Sequence, residues 1–441
     1  DFGDGFRRAA IGSLAALGGL YLVFSSRRAP ALAAAGLLLL TARPASAEEW
    51  VVGPGGDGRG LAEAVAAASP GDTIVVRGGV HPGPLVVDKP LVLAGEDGAV
   101  VDGGGRGTVV VLSAEGIVFR GFTVRGSGTR LDTEDAGILV SAPGVRIEDN
   151  GLEEVLFGVC VEKAPRSVLS GNRIRCLPLE VARRGDPLKV WYSDEVELRG
   201  NRIEGGRDAV LWFSSRMVVE DNEIRGGRYG LHFMYCHEST VERNRLTENS
   251  VGVFLMYSTR LLLSANRIDA NRGPSGYGIG LKDMEGARIE RNLVASNRAG
   301  IFIDGSTATL EGNLVAANDV GVYVVASARG NRFTGNGFTD NREAVVFSCA
   351  APADARGEWD GNYWSDYRGY DADGDGVGDT PFRCQDLFED LTGRNPSLRL
   401  FSGSVASAAI DHASRLYPIF APRPRLIDVA PTVLYALGRH T

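Results

Sequence analysis

Short runs of alternating apolar and polar residues recur along most of the chain. In one of these runs Leu231 and Phe233 alternate with His232 and Met234. A period of two places successive side chains on opposite faces of an extended strand. No repeat has the spacing of an amphipathic helix, so the pattern predicts an all-β protein.

An asparagine followed two residues later by Ile or Leu marks many of these runs from about residue 101 onward. The asparagines recur about every 22 residues, a spacing typical of repeat proteins. At about 3.3 Å per residue, such a repeat accommodates three short strands and three turns, and stacked coils bury a core that one coil cannot. We therefore predict a right-handed parallel β-helix over residues 101–350. The asparagines stand at positions 150, 172, 201, 222, 244, 266, 292, 313 and 331.

The recurring asparagine is interpreted as structural rather than catalytic. Stacked amides in an inward-facing turn can hydrogen-bond to one another and to the turn backbone. These bonds pair polar groups that burial would otherwise leave unsatisfied. We expect a ladder of amides along the axis of the β-helix.

The two ends of the predicted solenoid have different patterns. Residues 48–100 are expected to form an N-terminal cap and the first coils, with a short helix over residues 61–68 that covers the open end. Residues 351–400 are assigned to a C-terminal cap with an Asp-rich loop. Residues 401–441 are assigned to a C-terminal helix and tail, with the helix within residues 402–418.

The first 47 residues resemble an export signal. Arg27 and Arg28 precede an apolar stretch over residues 31–40, and an A-x-A cleavage motif ends at Ala47. The chain does not begin with Met, and we expect residues 1–25 to be a mis-called start. The region predicts an exported protein.

Composition narrows the class of protein further. The 441 residues include 59 glycines and 44% hydrophobic residues, which favours a turn-rich fold with a large core. The formal net charge of −8 makes nucleic acid a poor partner. The chain has only five cysteines, so disulfides cannot be its main stabilising element. Cys349 and Cys384 are candidates to pair, whereas Cys160 and Cys176 are expected either to pair or to be buried free thiols.

Counting back from each asparagine sets the register of neighbouring coils, in which equivalent residues stack about 4.8 Å apart. One position is uniformly apolar and should face the core, so the positions on either side of it should face outward. The inward column contains Val190, Leu211, Phe233, Leu255 and Leu281. The outward columns contain Trp191, Trp212, Met234, Met256 and Lys282, and Lys189, Val210, His232, Phe254 and Gly280.

This outward face has side chains that are unusual on a solvated strand. His232, Met234 and Met256 are predicted to meet there, with Cys236 and His237 in the turn that follows. Thioether, thiolate and imidazole ligands select Cu(I), whereas carboxylates and carbonyls favour calcium or magnesium. These five residues are therefore predicted as copper ligands.

Two other interpretations of the same face stay open. Exposed apolar patches mark binding surfaces, so Trp191, Trp212 and Phe254 are candidates for partner docking, with or without a metal. Alternatively, a second layer such as the C-terminal helix or a loop covers the face. Met234 and Met256 would then be ordinary core residues.

The Asp-rich loop has the spacing of a calcium-binding loop. Asp371, Asp373, Asp375 and Asp379 would supply oxygen ligands. The Glu expected at the twelfth position is absent, because that residue is Phe382. The loop is either a calcium site or an Asp-Gly turn without metal, and in both cases we expect it to stabilise the C-terminal cap.

Several segments resemble the NosD family of periplasmic maturation proteins of nitrous oxide reductase. The most specific are YGLHFMYCH at residues 229–237 and VGVFLMYS one coil later at residues 251–258. Residues 62–104, residues 361–367 and the Asp-rich segment 371–381 are similar as well. The resemblance covers essentially all of residues 48–441.

The resemblance implies an accessory protein that accepts Cu(I) and delivers it for assembly of the copper centres of nitrous oxide reductase. The implied partners are the membrane subunit of an ABC transporter, a copper-carrying lipoprotein and the apoprotein of nitrous oxide reductase. On this basis residues 401–441 would dock on the transporter's membrane subunit.

The competing class is a carbohydrate-active β-helix enzyme, such as a polysaccharide lyase or epimerase, because fold alone does not choose function. Such chemistry needs convergent carboxylates, or a calcium cluster with a basic residue. The outward Glu197, Glu220 and Glu242 alternate with Arg199 and Arg243, which is typical of a solvated charged face. We predict no catalytic residues and a protein that is not an enzyme.

Overall fold

The computed structural model describes residues 47–56, 58–348, 353–384, 387–401, 403–417 and 424–434. They form a parallel β-helix of about 14 turns with coils of about 22 residues, as the repeat predicted. The predicted export region lies outside the described residues, apart from Ala47.

Most coils contribute one strand to each of three sheets, and the named strands pair in parallel except Phe382–Cys384 with Leu426–Asp428. Sheet 1 contains Glu49–Val52, Thr73–Val76, Val92–Gly95, Val118–Arg120, Arg146–Glu148, Val168–Ser170, Glu197–Arg199, Val218–Glu220, Thr240–Glu242, Leu262–Ser264, Ala287–Glu290, Ala308–Glu311, Arg332–Thr334, Glu358–Asp360, Phe382–Cys384 and Leu426–Asp428. Sheet 2 contains Leu85–Val87, Val110–Leu112, Ala136–Val140, Phe157–Glu162, Leu188–Trp191, Asp208–Trp212, Tyr229–Met234, Val251–Met256, Tyr277–Lys282, Ala299–Asp304, Val320–Val324 and Glu343–Phe347. Sheet 3 contains Val80–Pro82, Val100–Asp102, Thr123–Arg125, Gly151–Val155, Arg173–Cys176, Arg202–Glu204, Glu223–Arg225, Arg245–Thr247, Arg267–Asp269, Leu293–Ala295, Leu314–Ala316, Gly337–Thr339 and Tyr363–Trp364.

A ladder of buried asparagines connects the coils. Asn244 is typical: its Nδ2 donates to the carbonyls of Val219 and Glu242 and to Oδ1 of Asn266, over 2.9, 3.0 and 2.9 Å. Its own Oδ1 accepts from both nitrogens of Asn222. Each amide therefore contacts the coils on both sides, and the structural interpretation of the asparagines is confirmed.

The prediction was wrong at one position of the ladder. After Asn313 the ladder continues through Asn336 and Asn362, not through Asn331. Asn331 instead accepts from the backbone nitrogen of Ala308 in a neighbouring turn. A second ladder, which the sequence interpretation missed, runs through Asn249, Asn271, Asn297, Asn318 and Asn341.

A helix and an aspartate close the two ends of the stack. Helix α1 (Leu61–Ala67) buries Leu61, Ala64 and Val65. Lys89 Nζ donates to carbonyl oxygens in its last turn, as cations at helix C-termini commonly do. At the other end the buried Asp428 accepts from the backbone and side chain of Asn362, so a carboxylate ends the ladder.

The C-terminal region contains more structure than the sequence predicted. Helix α3 (Val405–Leu416) lies within the predicted helical segment, and Ser404 caps its N-terminus. Helix α2 (Leu387–Arg394) was not predicted. The segment expected to be an extended tail contributes the strand Leu426–Asp428 to sheet 1. Short 3-10 helices span Val181–Arg183, Ala353–Arg356 and Pro396–Phe401.

Cys160 and Cys176 are buried free thiols, which was one of the two expected states. Burial raises the pKa of both groups, that of Cys176 to about 12, so neither is a thiolate at neutral pH. Cys349 lies outside the described residues, and its pairing with Cys384 stays a prediction.

We expect Asn244→Ala to destabilise the protein by at least about 2 kcal/mol, because each buried group left without a partner costs roughly 1–3 kcal/mol. The exposed neighbour Arg245 provides the control, since Arg245→Ala should change the stability by no more than about 0.5 kcal/mol. Urea unfolding followed by circular dichroism would measure both variants. Equal stability of the two variants would contradict a structural role for the ladder.

Candidate metal centre

The predicted register of the outward face is confirmed. In sheet 2, Trp212 pairs with Met234, Met234 with Met256, and His232 with Phe254. The five residues of the predicted inward column are all 0% exposed. The two other columns therefore lie on the outer face of sheet 2.

The four methionines of the chain divide into two pairs. Met217 and Met284 are 1% and 2% exposed and belong to the hydrophobic core. Met234 and Met256 are half-buried and lie in adjacent strands of the outer face. Only the second pair has the position expected of metal ligands.

His232 is the centre of this face. Its Nε2 lies 3.4 Å from Sδ of Met256. The ring is 7% exposed and is enclosed by the rings of Tyr229, Trp212 and Phe254, with centroid distances of 4.8, 5.5 and 6.3 Å. The imidazole of His232 and the thioether of Met256 thus converge in a mostly apolar pocket. The second thioether, Met234, is in the same strand as His232 and pairs with Met256.

A buried carboxylate lies behind the histidine. Asp208 is 2% exposed, and its Oδ2 is 3.7 Å from Nδ1 of His232. The guanidinium of Arg228 donates two hydrogen bonds to the same carboxylate, one of them over 2.8 Å. Burial opposes ionisation of Asp208, but His232 and Arg228 outweigh it and hold the pKa below its usual range.

Two of the five predicted copper ligands do not join this cluster. The Cys236 thiol belongs to the core and donates to the carbonyl of Leu211 over 3.0 Å. Burial raises the pKa of this thiol to about 11, which disfavours the thiolate that binds metals. Nδ1 of His237 lies 2.9 Å from the hydroxyl of Thr259 in the next turn. The structure therefore brings together His232 and Met256, places Met234 beside them, and leaves Cys236 facing inward.

The three predicted docking residues surround the same site. Trp191 and Trp212 are half-buried neighbours in sheet 2, and Nε1 of Trp212 is buried without a hydrogen-bond partner. Phe254 lies over Gly280, where an added Cβ would be 2.4 Å from the ring. Glycine is thus required at 280 for Phe254 to lie across that coil.

A stack of aromatic rings beside the site was missed by the sequence analysis. Each of its four members follows one residue of the Trp191–Met256 column, and consecutive ring centroids are 4.9, 5.1 and 5.2 Å apart. All four have a left-handed backbone, with φ between 47° and 55°. That conformation costs roughly 1–2 kcal/mol per residue, which stacking at about 0.5–1.5 kcal/mol per pair partly offsets. The stack contains Tyr192, Phe213, Tyr235 and Tyr257.

The C-terminal helices face a different part of sheet 2. A cavity of about 1340 Å³ separates Tyr277, Phe302 and Tyr323 of the sheet from Phe388 of α2 and Asp411 of α3. Among the described residues that line this cavity, neither Met234 nor Met256 is found. The described parts of these helices line this cavity over the later strands of sheet 2, from Tyr277 onward.

The Asp-rich loop brings three of its four predicted carboxylates together. Oxygens of Asp371, Asp373 and Asp375 lie within 4.8 Å of one another, the only such acidic, His or Cys group of three or more among the described residues. Asp379 instead accepts from the backbone nitrogen of Ala372 over 2.6 Å. Calcium binding by this loop stays a prediction.

Comparisons with known proteins identify the family of the chain. The family described as "Periplasmic copper-binding protein (NosD)" matches residues 176–369, which include these strands. A Pseudomonas aeruginosa protein named "Probable ABC transporter binding protein NosD" is 31% identical over 431 residues, covering 89% of this chain and 92% of that protein. The chain belongs to the NosD family. A NosD protein of the same name from Stutzerimonas stutzeri is 26% identical over 361 residues, covering 77% of this chain and 82% of that protein.

Similarity to solved structures is weaker than this family relationship. The crystal structure of the periplasmic alginate epimerase AlgG is 15% identical, with a TM-score of 0.43 over 66% of this chain and 82% of that one. A likeness of this size gives no argument about function. None of the helices that the structure describes is long and apolar enough to cross a membrane.

The calcium prediction can be tested on the purified protein. Calcium that binds only the folded state at 100 times its dissociation constant should add about 2.7 kcal/mol of stability. We expect millimolar calcium to raise the melting temperature of the wild type and to leave Asp373→Asn unchanged, with magnesium as the control ion. An equal response of the two proteins would exclude this loop as the site.

Proposed function

We propose that this protein binds Cu(I) on the outer face of sheet 2 and delivers it in the periplasm for assembly of the copper centres of nitrous oxide reductase. The observation that carries the proposal is the approach of His232 Nε2 to Met256 Sδ at 3.4 Å, with Met234 in register beside Met256. Soft thioethers together with an imidazole are the ligands that select Cu(I).

The enclosure of the site also suits transfer of a soft cation. Rings of Tyr229, Trp212 and Phe254 surround His232 and limit its contact with water. A site that uses neutral thioethers adds no negative charge to be compensated in this apolar setting. It can therefore hold Cu(I) and release it to a partner with stronger ligands.

The family supports the compartment and the type of partner. Its description is that of a periplasmic copper-binding protein, and the two relatives are named as ABC transporter binding proteins. We propose an ABC transporter membrane subunit as partner, docked by the C-terminal segment 401–441. A copper-carrying lipoprotein as donor and the apoprotein of nitrous oxide reductase as acceptor complete the proposal.

The aromatic residues around the ligands are the proposed docking contacts for these exchanges. Trp191, Trp212 and Phe254 are half-buried on the face that holds the methionines. Aromatic side chains are enriched in the energetically important parts of protein interfaces. A donor or acceptor protein bound there would lie directly over the copper ligands.

A Cu(I) titration against a competing chelator tests the metal site. We expect the wild type to take Cu(I) from the chelator. The double variant Met234→Leu/Met256→Leu should lose Cu(I) affinity. Its loss should exceed the ~10- to 100-fold that follows removal of an outer-shell partner, because two ligands themselves are removed. The control is Met217→Leu/Met284→Leu, which changes the two core methionines and should bind copper as the wild type does. Met-to-Leu exchange nearly conserves volume, so both variants should fold.

The outcomes of this titration separate the competing functions. If wild type and both variants bind no Cu(I) above background, the metal proposal fails and a docking role remains. If the two double variants lose affinity equally, copper binds elsewhere. Polysaccharide cleavage or epimerisation by the purified protein would overturn the assignment as a protein without catalytic activity.

A further inference from the structure

The two ring nitrogens of His232 have different surroundings. Nε2 faces Met256, whereas Nδ1 is buried and lacks a hydrogen-bond partner among the described residues. The carboxylate of Asp208 is 3.7 Å from Nδ1. The donor and acceptor of an N–H···O hydrogen bond are about 2.7–3.2 Å apart. Nδ1 of His232 and Oδ2 of Asp208 are therefore roughly 0.5 Å too far apart to form one.

Arg228 fixes the position of this carboxylate. Its Nε donates to Oδ1 of Asp208 over 2.8 Å and its Nη2 donates to Oδ2. Two parallel bonds from a planar guanidinium hold both the place and the plane of a carboxylate. Because Asp208 is 2% exposed, it has little freedom to turn toward water.

Aromatic contacts connect the ion pair back to the histidine. The guanidinium of Arg228 lies 4.7 Å from the ring centre of Tyr229, and the Tyr229 ring meets that of His232 edge-on at 4.8 Å. Asp208, Arg228, Tyr229 and His232 are thus each in contact with two others of the four.

The strand pairing is irregular beside this cluster. Asp208 pairs with Tyr229, but Val210 pairs with His232, so the Tyr229–Met234 strand contains one extra residue between the two pairs. Such a bulge redirects side chains and commonly occurs at functional sites. Here the extra residue lies between the position of Asp208 and that of His232.

We propose that Asp208, held by Arg228, is a positioning residue that accepts a hydrogen bond from Nδ1–H of His232 and thereby presents the Nε2 lone pair to Cu(I). A ring rotation that closes the gap of about 0.5 Å completes the bond. Metal-binding histidines generally donate their second ring N–H to a carboxylate or carbonyl, which sets the tautomer and ring orientation. This inference rests on the proposed copper site but makes a separate claim about the metal-free protein.

The first test is the tautomer of His232 without metal, read from ¹⁵N NMR of protein labelled at its five histidines. Near pH 8, where ordinary imidazole is neutral, we expect Nδ1–H in the wild type and a shift toward Nε2–H in Asp208→Asn. Glu290 provides the control: it is also buried and bonded to an arginine, Arg288, but lies in sheet 1. Glu290→Gln should leave the His232 spectrum unchanged.

The second test is Cu(I) affinity by the same chelator competition. Asp208→Asn should bind Cu(I) about 10- to 100-fold more weakly than the wild type, the usual cost of losing an outer-shell partner, and Glu290→Gln should match the wild type. If Asp208→Asn does not fold, Asp208→Ala/Arg228→Ala replaces it, because that pair of changes leaves no unpaired buried charge.

The two readouts separate this inference from the proposed function. An Nε2–H tautomer in the wild type, or a tautomer that Asp208→Asn leaves unchanged, overturns the positioning role even if copper binds. Unchanged affinity of Asp208→Asn also overturns it. Failure of the wild type to bind Cu(I) overturns the proposed function, while the tautomer result still decides the role of Asp208.

Discussion

The hydrogen-bonded ladder of buried asparagines is the interaction on which the rest of the structure depends. Each amide nitrogen donates to a backbone carbonyl of the preceding coil and to the side chain of the next one, so adjacent coils are held in a single register. A slip of one residue would exchange the inner and outer faces of a strand. A slip would also leave several buried polar groups unpaired at every coil, and it is therefore strongly disfavoured.

The candidate metal centre is a consequence of that register. Met234 and Met256 belong to different coils and become neighbours only because those coils stack in this alignment. The alternation that buries Phe233 and Leu255 turns His232 and both methionines outward. A rigid solenoid thus supplies ligand positions from adjacent coils, and the surrounding aromatic rings reduce access of water to them.

The fold and the column of ligands could be predicted from the sequence because both follow from simple periods. The asparagine spacing revealed the coil length, and the alternation of apolar residues revealed which face was buried. The same counting failed at Asn331, which lies in a different turn of its coil, just before the sheet 1 strand Arg332–Thr334, whereas Asn336 continues the ladder. It also missed Asp208, which lies two residues before Val210 and therefore outside the columns that were compared.

Other features depend on contacts that no local pattern encodes. Asp428 ends the ladder although it is 66 residues from Asn362 in the chain. Cys236 was predicted as a copper ligand in the turn after Met234, but its thiol lies in the core, where it donates to the carbonyl of Leu211. The same register also aligns the aromatic residues from Tyr192 to Tyr257 in neighbouring coils. They were missed because each lies one residue after the Trp191–Met256 column, a position that the sequence analysis did not compare.

X-ray absorption spectroscopy at the copper edge of the Cu(I)-loaded protein tests the central claim most directly. We expect a first shell with two sulfur scatterers and one imidazole nitrogen in the wild type, and loss of the sulfur contribution in Met234→Leu/Met256→Leu. A shell of nitrogen and oxygen alone, or a sulfur contribution that this variant leaves unchanged, would contradict the assignment of His232, Met234 and Met256 as the copper ligands.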